Sequence, residues 1–202
     1  MYSRNSGIVY GFHGCDQKTK DEILSKEKFF ESSKNPYDWL GEGIYFWEND
    51  CQRALEFATD AMKNKRQTKG DIQKPAVIGA VIDLGYCCDL TNRRNIEMLQ
   101  KANDFYLKSL KDGELPKINK GELPDMKGRY RDCVVINTLH NLIRMSKGRP
   151  YDSVRSIFFE GKSLYETSAF REFTHIQICV RNPNCIKAVF DPREVDVSYP
   201  FV

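Results

Sequence analysis

Apolar and polar positions along the chain fall into a few patterns, and each predicts a different element. Short apolar runs at 7–13 and 43–47, Ile8-Val9-Tyr10 and Ile44-Tyr45-Phe46, lie beside glycines and read as short strands. The stretch Pro75-Ala76-Val77-Ile78-Gly79-Ala80-Val81-Ile82-Asp83-Leu84 is almost continuously apolar and rich in β-branched residues, as in a strand buried on both faces. Three more β-type segments, 154–160, 174–181 and 185–190, close the chain, with Asn182-Pro183-Asn184 as the turn of a hairpin between the last two. Helical spacing appears at 16–26, where Asp16 is a candidate N-cap and Ile23 and Leu24 face inward. It returns after Asn49 or Asp50, where Cys51, Ala54, Leu55, Ala58, Ala61 and Met62 recur on one face. Segments 91–111 and 131–146 are the remaining predicted helices, the latter with Val134, Val135, Leu139, Leu142 and Ile143 inward. Residues 112–130, with Gly113, Pro116, Gly121, Pro124 and Gly128, form a polar insertion or lid, because too little chain follows to build a second core. Strands and helices mixed in this order predict an α+β fold over a single domain, 1–202.

Composition narrows the function classes. A chain of 202 residues, 41% hydrophobic and 29% charged, can bury one core and is ordinary for a soluble globular protein. The net charge of +3 is too mild to be an electrostatic footprint for nucleic acid, and it does not exclude one. The densest basic run, Lys63-Asn64-Lys65-Arg66 followed by Lys69 and Lys74, reads as a solvated helix end and loop rather than a phosphate patch. The polar start MYSRNSG and the lack of a long apolar stretch predict no membrane association and a cytoplasmic protein. Seven cysteines, an odd number with no CxxC, argue against zinc and against a disulfide framework, so reduced thiols and no metal are expected.

Two stretches do not read as ordinary core. His13-Gly14 ends the first strand; a neutral imidazole there suits a ribose hydroxyl, and Gly14 would admit a ligand close to the backbone. The plainer readings are a structural histidine and a turn. In Gly41-Glu42-Gly43-Ile44-Tyr45-Phe46 the glycines permit a tight entry to a strand whose tyrosine could stack on a flat heteroaromatic ring, or simply be an aromatic core strand.

With that spacing, and a helix following from Asp50, the sequence resembles the ADP-ribosyltransferase superfamily, in its diphtheria-toxin-like and poly(ADP-ribose)-polymerase-like branch. The third family element, a Glu at the start of a late strand, is matched in shape by Thr174-His175-Ile176-Gln177-Ile178-Cys179-Val180, with Gln177 where the Glu would stand. Phe158-Phe159-Glu160-Gly161 and His175 to Val180 are also similar to an uncharacterised bacterial group within the superfamily. Residues 91–150 are not covered by the likeness.

The resemblance implies a split mixed sheet with flanking helices and NAD as the substrate, without a metal. His13 would hold ribose hydroxyls, Gly14 the nicotinamide amide, and Tyr45 would stack on the nicotinamide ring. Ser33 and Gly43 complete the candidate NAD-binding set, and Ser32 could touch ribose or phosphate. The family's Glu stabilises positive charge developing at the anomeric carbon; Gln177 can accept the same hydrogen bond without supplying the charge, a loss of roughly 3–4 kcal/mol. Three readings of Gln177 stand: slow transfer with Glu160 or Glu172 as substitute carboxylate, binding without turnover, or a shifted register with Glu160 or Glu172 as the catalytic acid. Glu160 could equally pair with Lys162 or Arg155, and Glu172 could pair with Arg171 or stand exposed to solvent. His175, two residues before Gln177 and on its face of the strand, is the candidate for contacting the acceptor as a base.

His140 reads as structural, and Arg129 and Arg131 as surface charges that could reach a pyrophosphate. Cys15 beside His13 lacks a third orienting group for thiol chemistry. The function that the resemblance implies is mono-ADP-ribosyl transfer to a protein or nucleic-acid acceptor, as in a bacterial toxin or defence effector with an antitoxin partner. The alternatives are an NAD or ADP-ribose sensing module and an NAD glycohydrolase.

Overall fold

The computed structural model describes residues 7–64, 72–121 and 127–200. The strands are β1 (Ile8–Asp16), β2 (Ile44–Glu48), β3 (Pro75–Asp83), β4 (Cys87–Asp89), β5 (Ser153–Phe158), β6 (His175–Val180) and β7 (Ile186–Phe190). The helices are α1 (Gln17–Leu24), α2 (Cys51–Lys63), α3 (Arg93–Lys108) and α4 (Tyr130–Met145). The strands form one mixed sheet in the order β4-β5-β6-β2-β1-β3-β7, antiparallel except for the parallel β4–β5 pair. The α+β class read from the sequence is the class observed.

Local chemistry sets the boundaries. Asp16 and Asp50 cap α1 and α2, accepting from the amides of Lys18 and Arg53. The apolar run of β3 suits its place between β1 and β7 with helices nearby, and six of its nine residues are buried. Leu55, expected on the inward face of α2, is instead exposed; Ala54, Ala58 and Ala61 are the residues that face the sheet.

Residues 182–184 do not turn a hairpin. β7 joins β3 at the sheet edge while β6 lies between β5 and β2, so Pro183–Cys185 is a 3-10 turn opening a crossover. Turn chemistry alone was compatible with either connection; pairing partners decided it. The basic run at 65–69 lies outside the described residues, as does Pro124 within the insertion.

Alternation along the strands divides the core in two. One face carries Ile44, Phe46, Ile82, Ile178 and Val180 in a continuous cluster, extended by Cys15, Ile23 and Ile78 under α1. The opposite face packs Trp47 and Val77 against Ala54 of α2, and Val154 and Cys179 against Val135, Ile136 and Leu139 of α4. The seam between α2 and α4 on this second face is where polar side chains collect.

Candidate functional site

The sheet opens between β1 and β2. Asn49 donates its amide to the Tyr10 carbonyl, so the even-numbered residues of β1 turn their backbone toward β2. The β1–β2 register holds at Gly11–Glu48 and Phe12–Trp47 and goes no further, while β2 continues along β6 as far as Ile44–Val180. Gly14 therefore presents its backbone to a fork between the strands. The Tyr45 carbonyl, next in line for a ladder bond, instead accepts from His13 Nδ1 at 2.8 Å. A carbonyl only accepts, so Nδ1 carries the proton and Nε2 keeps a free lone pair. Burial lowers the His13 pKa, against the opposing pull of the Tyr45 carbonyl, which keeps the ring neutral. The ring stands edge-on to Phe30 and tilted to Phe46.

The glycine at 14 has a second reason. A Cβ there would lie 2.1 Å from the Ala54 carbonyl oxygen, so α2 can approach β1 only if residue 14 is glycine. Gly43 is fixed in the same way, since a Cβ would meet Cys179 Sγ at 2.4 Å. Ser33 pairs with Gly43 through both backbone groups and donates its hydroxyl to Asp38. The Tyr45 hydroxyl donates to the Gly41 carbonyl at 2.8 Å and accepts from the Leu40 amide at 3.0 Å. Its ring packs against the cluster of Leu40 and Cys179. Ser33, Gly43 and Tyr45 thus build the turn that enters β2, and the Tyr45 phenol is spent inside it.

Gln177, His175 and Glu160 come together on the α2–α4 face. Gln177 lies opposite Trp47 on β2 and Ser156 on β5, and its Oε1 accepts from Trp39 Nε1 at 2.5 Å. Trp39 stands edge-on to Phe158 at 4.9 Å, and Phe158 stacks on His175 at 5.5 Å. His175 Nδ1 donates to the Phe173 carbonyl at 2.6 Å, which again leaves Nε2 with the lone pair. Burial lowers the His175 pKa, with Arg53 adding to the effect, so the imidazole is a neutral base.

Glu160 is buried and clasped from both sides: Arg53 Nη2 donates to Oε2 at 2.6 Å and Lys127 Nζ to Oε1 at 2.7 Å. Burial pushes its pKa up, but the bonds from Lys127 and Arg53 outweigh that and hold it below the usual carboxylate value. Its partners are therefore not Lys162 or Arg155; Arg155 binds Glu48 and Asp89 instead. Glu172 is exposed, accepts from the Lys162 amide, and makes no ion pair with Arg171, which donates to the Gly161 carbonyl.

The seam holds more polar capacity than it uses. Trp47 Nε1, Arg53 Nε, Arg129 Nε and His175 Nε2 are all buried without a hydrogen-bond partner. An unpartnered buried polar atom costs about 1–3 kcal/mol, so four around one seam are expensive unless a ligand completes them. Arg129, read from sequence as a surface charge, lies over the Phe158 ring at 5.0 Å and pairs with Asp132. Arg131 goes elsewhere, donating to Asn103 and covering Tyr106.

Sequence reasoning missed Trp39, Arg53, Trp47 and Lys127 as members of this group. Arg53 was legible only as a residue in the first turn of a helix. Its contact with Glu160 spans 107 residues, and that of Trp39 with Gln177 spans 138, beyond any local pattern.

The cysteines are free, and burial pushes the Cys15 thiol up to about 11, far from nucleophilic. Among the described residues no group of three or more His, Cys, Asp or Glu side chains is placed to hold a metal ion. Nor is any described helix long and apolar enough to cross a membrane.

No family model and no solved structure matches the chain. A protein of Methanocaldococcus jannaschii, described as the uncharacterized protein MJ0359, is 25% identical over 87% of this chain and 83% of its own length.

Proposed function

We propose that the protein is an NAD-dependent mono-ADP-ribosyltransferase working in a reducing cytoplasm, on a protein or nucleic-acid acceptor. The observation that carries this reading is the fork between β1 and β2, bridged by His13 on one face of the sheet, together with a seam of unpartnered polar atoms around Gln177 on the other. An unpaired Gly14 backbone offers a donor and an acceptor to a carboxamide, and His13 Nε2 offers an acceptor to a ribose hydroxyl. The indole and guanidinium N–H groups of Trp47, Arg53 and Arg129 suit an oxygen-rich ligand such as a dinucleotide.

In the reaction, the bond between nicotinamide and the ribose anomeric carbon breaks, and nicotinamide leaves with the electron pair. The acceptor nucleophile bonds to that carbon, and its proton passes to His175 Nε2. Gln177 Oε1 supplies a dipole toward the developing positive charge in place of a carboxylate, which predicts slow turnover.

A second reading, a sensing module that binds NAD without cleaving it, draws on three bonds. Gln177 Oε1 is already taken by Trp39, and both oxygens of Glu160 are held by cations. Adenine-labelled NAD, incubated with the protein and a cell extract split into protein and RNA fractions, separates the two. Label moving into one fraction with release of nicotinamide, and lost in Gln177→Ala and His175→Ala, supports transfer. Intact NAD with saturable binding supports the sensor, and free ADP-ribose with no labelled macromolecule a glycohydrolase. No binding at all would end all three.

A further inference from the structure

A hollow of about 530 Å³ lies away from this seam, between the C-terminal half of α4, the segment leading into β5 and the turn after β6. Arg144, Arg149 and Arg181 line it together with His140, Tyr151 and Asp152, and Ser32 and Glu42 stand at the side of the β2 entry loop. Arg181 is four residues beyond Gln177, about 13 Å along an extended chain, so the hollow and the seam lie at opposite ends of β6.

The arginines are unequally occupied. Asp152 accepts from Arg149, from the Tyr86 amide and from Asn182, so its carboxylate is committed. Arg181 donates to the Glu42 carbonyl and Arg144 to Asn141, and among the described residues neither makes an ion pair with a carboxylate. His140 is 3% exposed, lines the hollow, and has no partner for Nε2. Three of the last four carbonyls of α4, those of Leu142, Ile143 and Arg144, which would repel an anion, are already covered by the amides of Ser146, Gly148 and Lys147.

We propose that this hollow binds the phosphate group of a phosphorylated small molecule. Two guanidinium forks without carboxylate partners match phosphate oxygens in pairs, and the His140 ring borders the same hollow. Pro150, Tyr151 and Pro183 give an apolar wall for the organic part of such a ligand.

The chain has three histidines, so three imidazole ring signals report on the whole molecule. Inorganic pyrophosphate is titrated in while those signals are followed by proton NMR, with the His140 signal assigned from its loss in His140→Phe. Saturable binding that moves the His140 signal and leaves those of His13 and His175 in place is expected. Arg144→Gln and Arg181→Gln should each weaken it at least tenfold, with melting curves confirming that each variant folds. Arg144 is exposed, so its variant decides the matter even if Arg181→Gln unfolds. No saturation at millimolar pyrophosphate, movement of His13 or His175 instead, or undiminished affinity in Arg144→Gln would each overturn the assignment. None of these readouts depends on NAD turnover.

Discussion

Two clusters of ion pairs sit on opposite faces of the same sheet, and each joins an arginine to a carboxylate 107 residues away. On one face Arg155 of β5 donates through Nε and Nη2 to both oxygens of Glu48, at 2.6 and 2.9 Å, and through Nη1 to Asp89 at 3.0 Å. Its bonds to Glu48 raise its pKa above even the ordinary guanidinium value. Every guanidinium nitrogen is engaged, the carboxylates are nearly buried, and nothing is left over. On the other face Arg53 holds Glu160 through Nη2, reaches Glu56 only at 3.6 Å, and keeps Nε buried without a partner. Lys127, the second cation on Glu160, is itself mostly in solvent. A network that closes on itself has the form of a structural element, joining β2, β4 and β5; one that stays open has the form of a site waiting for a ligand. Burial alone would not distinguish them, since Glu48 and Glu160 are about equally covered.

The closed network should carry the largest energetic consequence. Arg155→Met leaves Glu48 and Asp89 facing each other without a cation, and removing one partner of a buried pair costs about 3–5 kcal/mol. Urea unfolding should show a lowered midpoint of that size; a change near zero would mean the closed network is not what ties these strands together. Gly14→Ala comes next, at about 2–3 kcal/mol, because the new methyl meets the backbone oxygen of Ala54 rather than a side chain that can rotate away. Its effect should fall on the docking of α2, read as faster hydrogen exchange in Cys51–Lys63 than in Tyr130–Met145.

That glycine illustrates what the sequence makes legible. His13-Gly14 stood out as a motif, and the helix caps, the buried strand at β3 and the face shared by His175 and Gln177 were all written in local pattern. The packing reason for Gly14 was not, because it depends on α2 crossing β1 at Ala54. The three-residue β4 escaped notice because Cys87-Cys88-Asp89 is too short to show alternation and gains its partner only from the distant β5. The likeness at the N-terminal motifs pointed to the fork, yet it assigned Tyr45 a free ring where the structure packs it, half-buried, against its own entry turn. Both outcomes have one cause: sequence spacing records which residues share an element, and the seam is assembled between elements.

On the open side the expected loss is smaller. Glu160→Gln keeps the shape but leaves Arg53 facing a neutral amide, at about 1–2 kcal/mol, since Lys127 can return to water. The pH dependence has a definite sign. The folded-state pKa of Glu160 lies below its unfolded value, so the carboxylate's contribution is complete above the unfolded value, near pH ~4.3, and is lost as pH falls through the folded one. The gap between wild type and variant should hold steady from neutral pH down to about 5 and close in stronger acid. A gap that widened on acidification would mean that Glu160 is protonated in the native protein, and the clasp by Arg53 and Lys127 would be the wrong description.

The smallest change in stability should come from the substitution that says most about the site. Gln177→Glu adds a carboxylate where the amide oxygen already accepts from Trp39 Nε1, a donor that favours the charged form. The partly exposed position and the Trp39 donor limit the desolvation penalty, so the change should stay within about 1 kcal/mol. If the fork and seam bind NAD for cleavage, a fixed negative charge at this point should raise nicotinamide release by about a hundredfold, the scale of one preorganised electrostatic contact. The Trp39 side chain then decides what a null result means. If Gln177→Glu fails to accelerate release but Gln177→Glu combined with Trp39→Phe does, the indole N–H was neutralising the added charge, and the geometry of the fork is sound. If neither variant releases nicotinamide while both still bind NAD, the open network is a binding seam without chemistry, and the sensing module becomes the better account of the same residues.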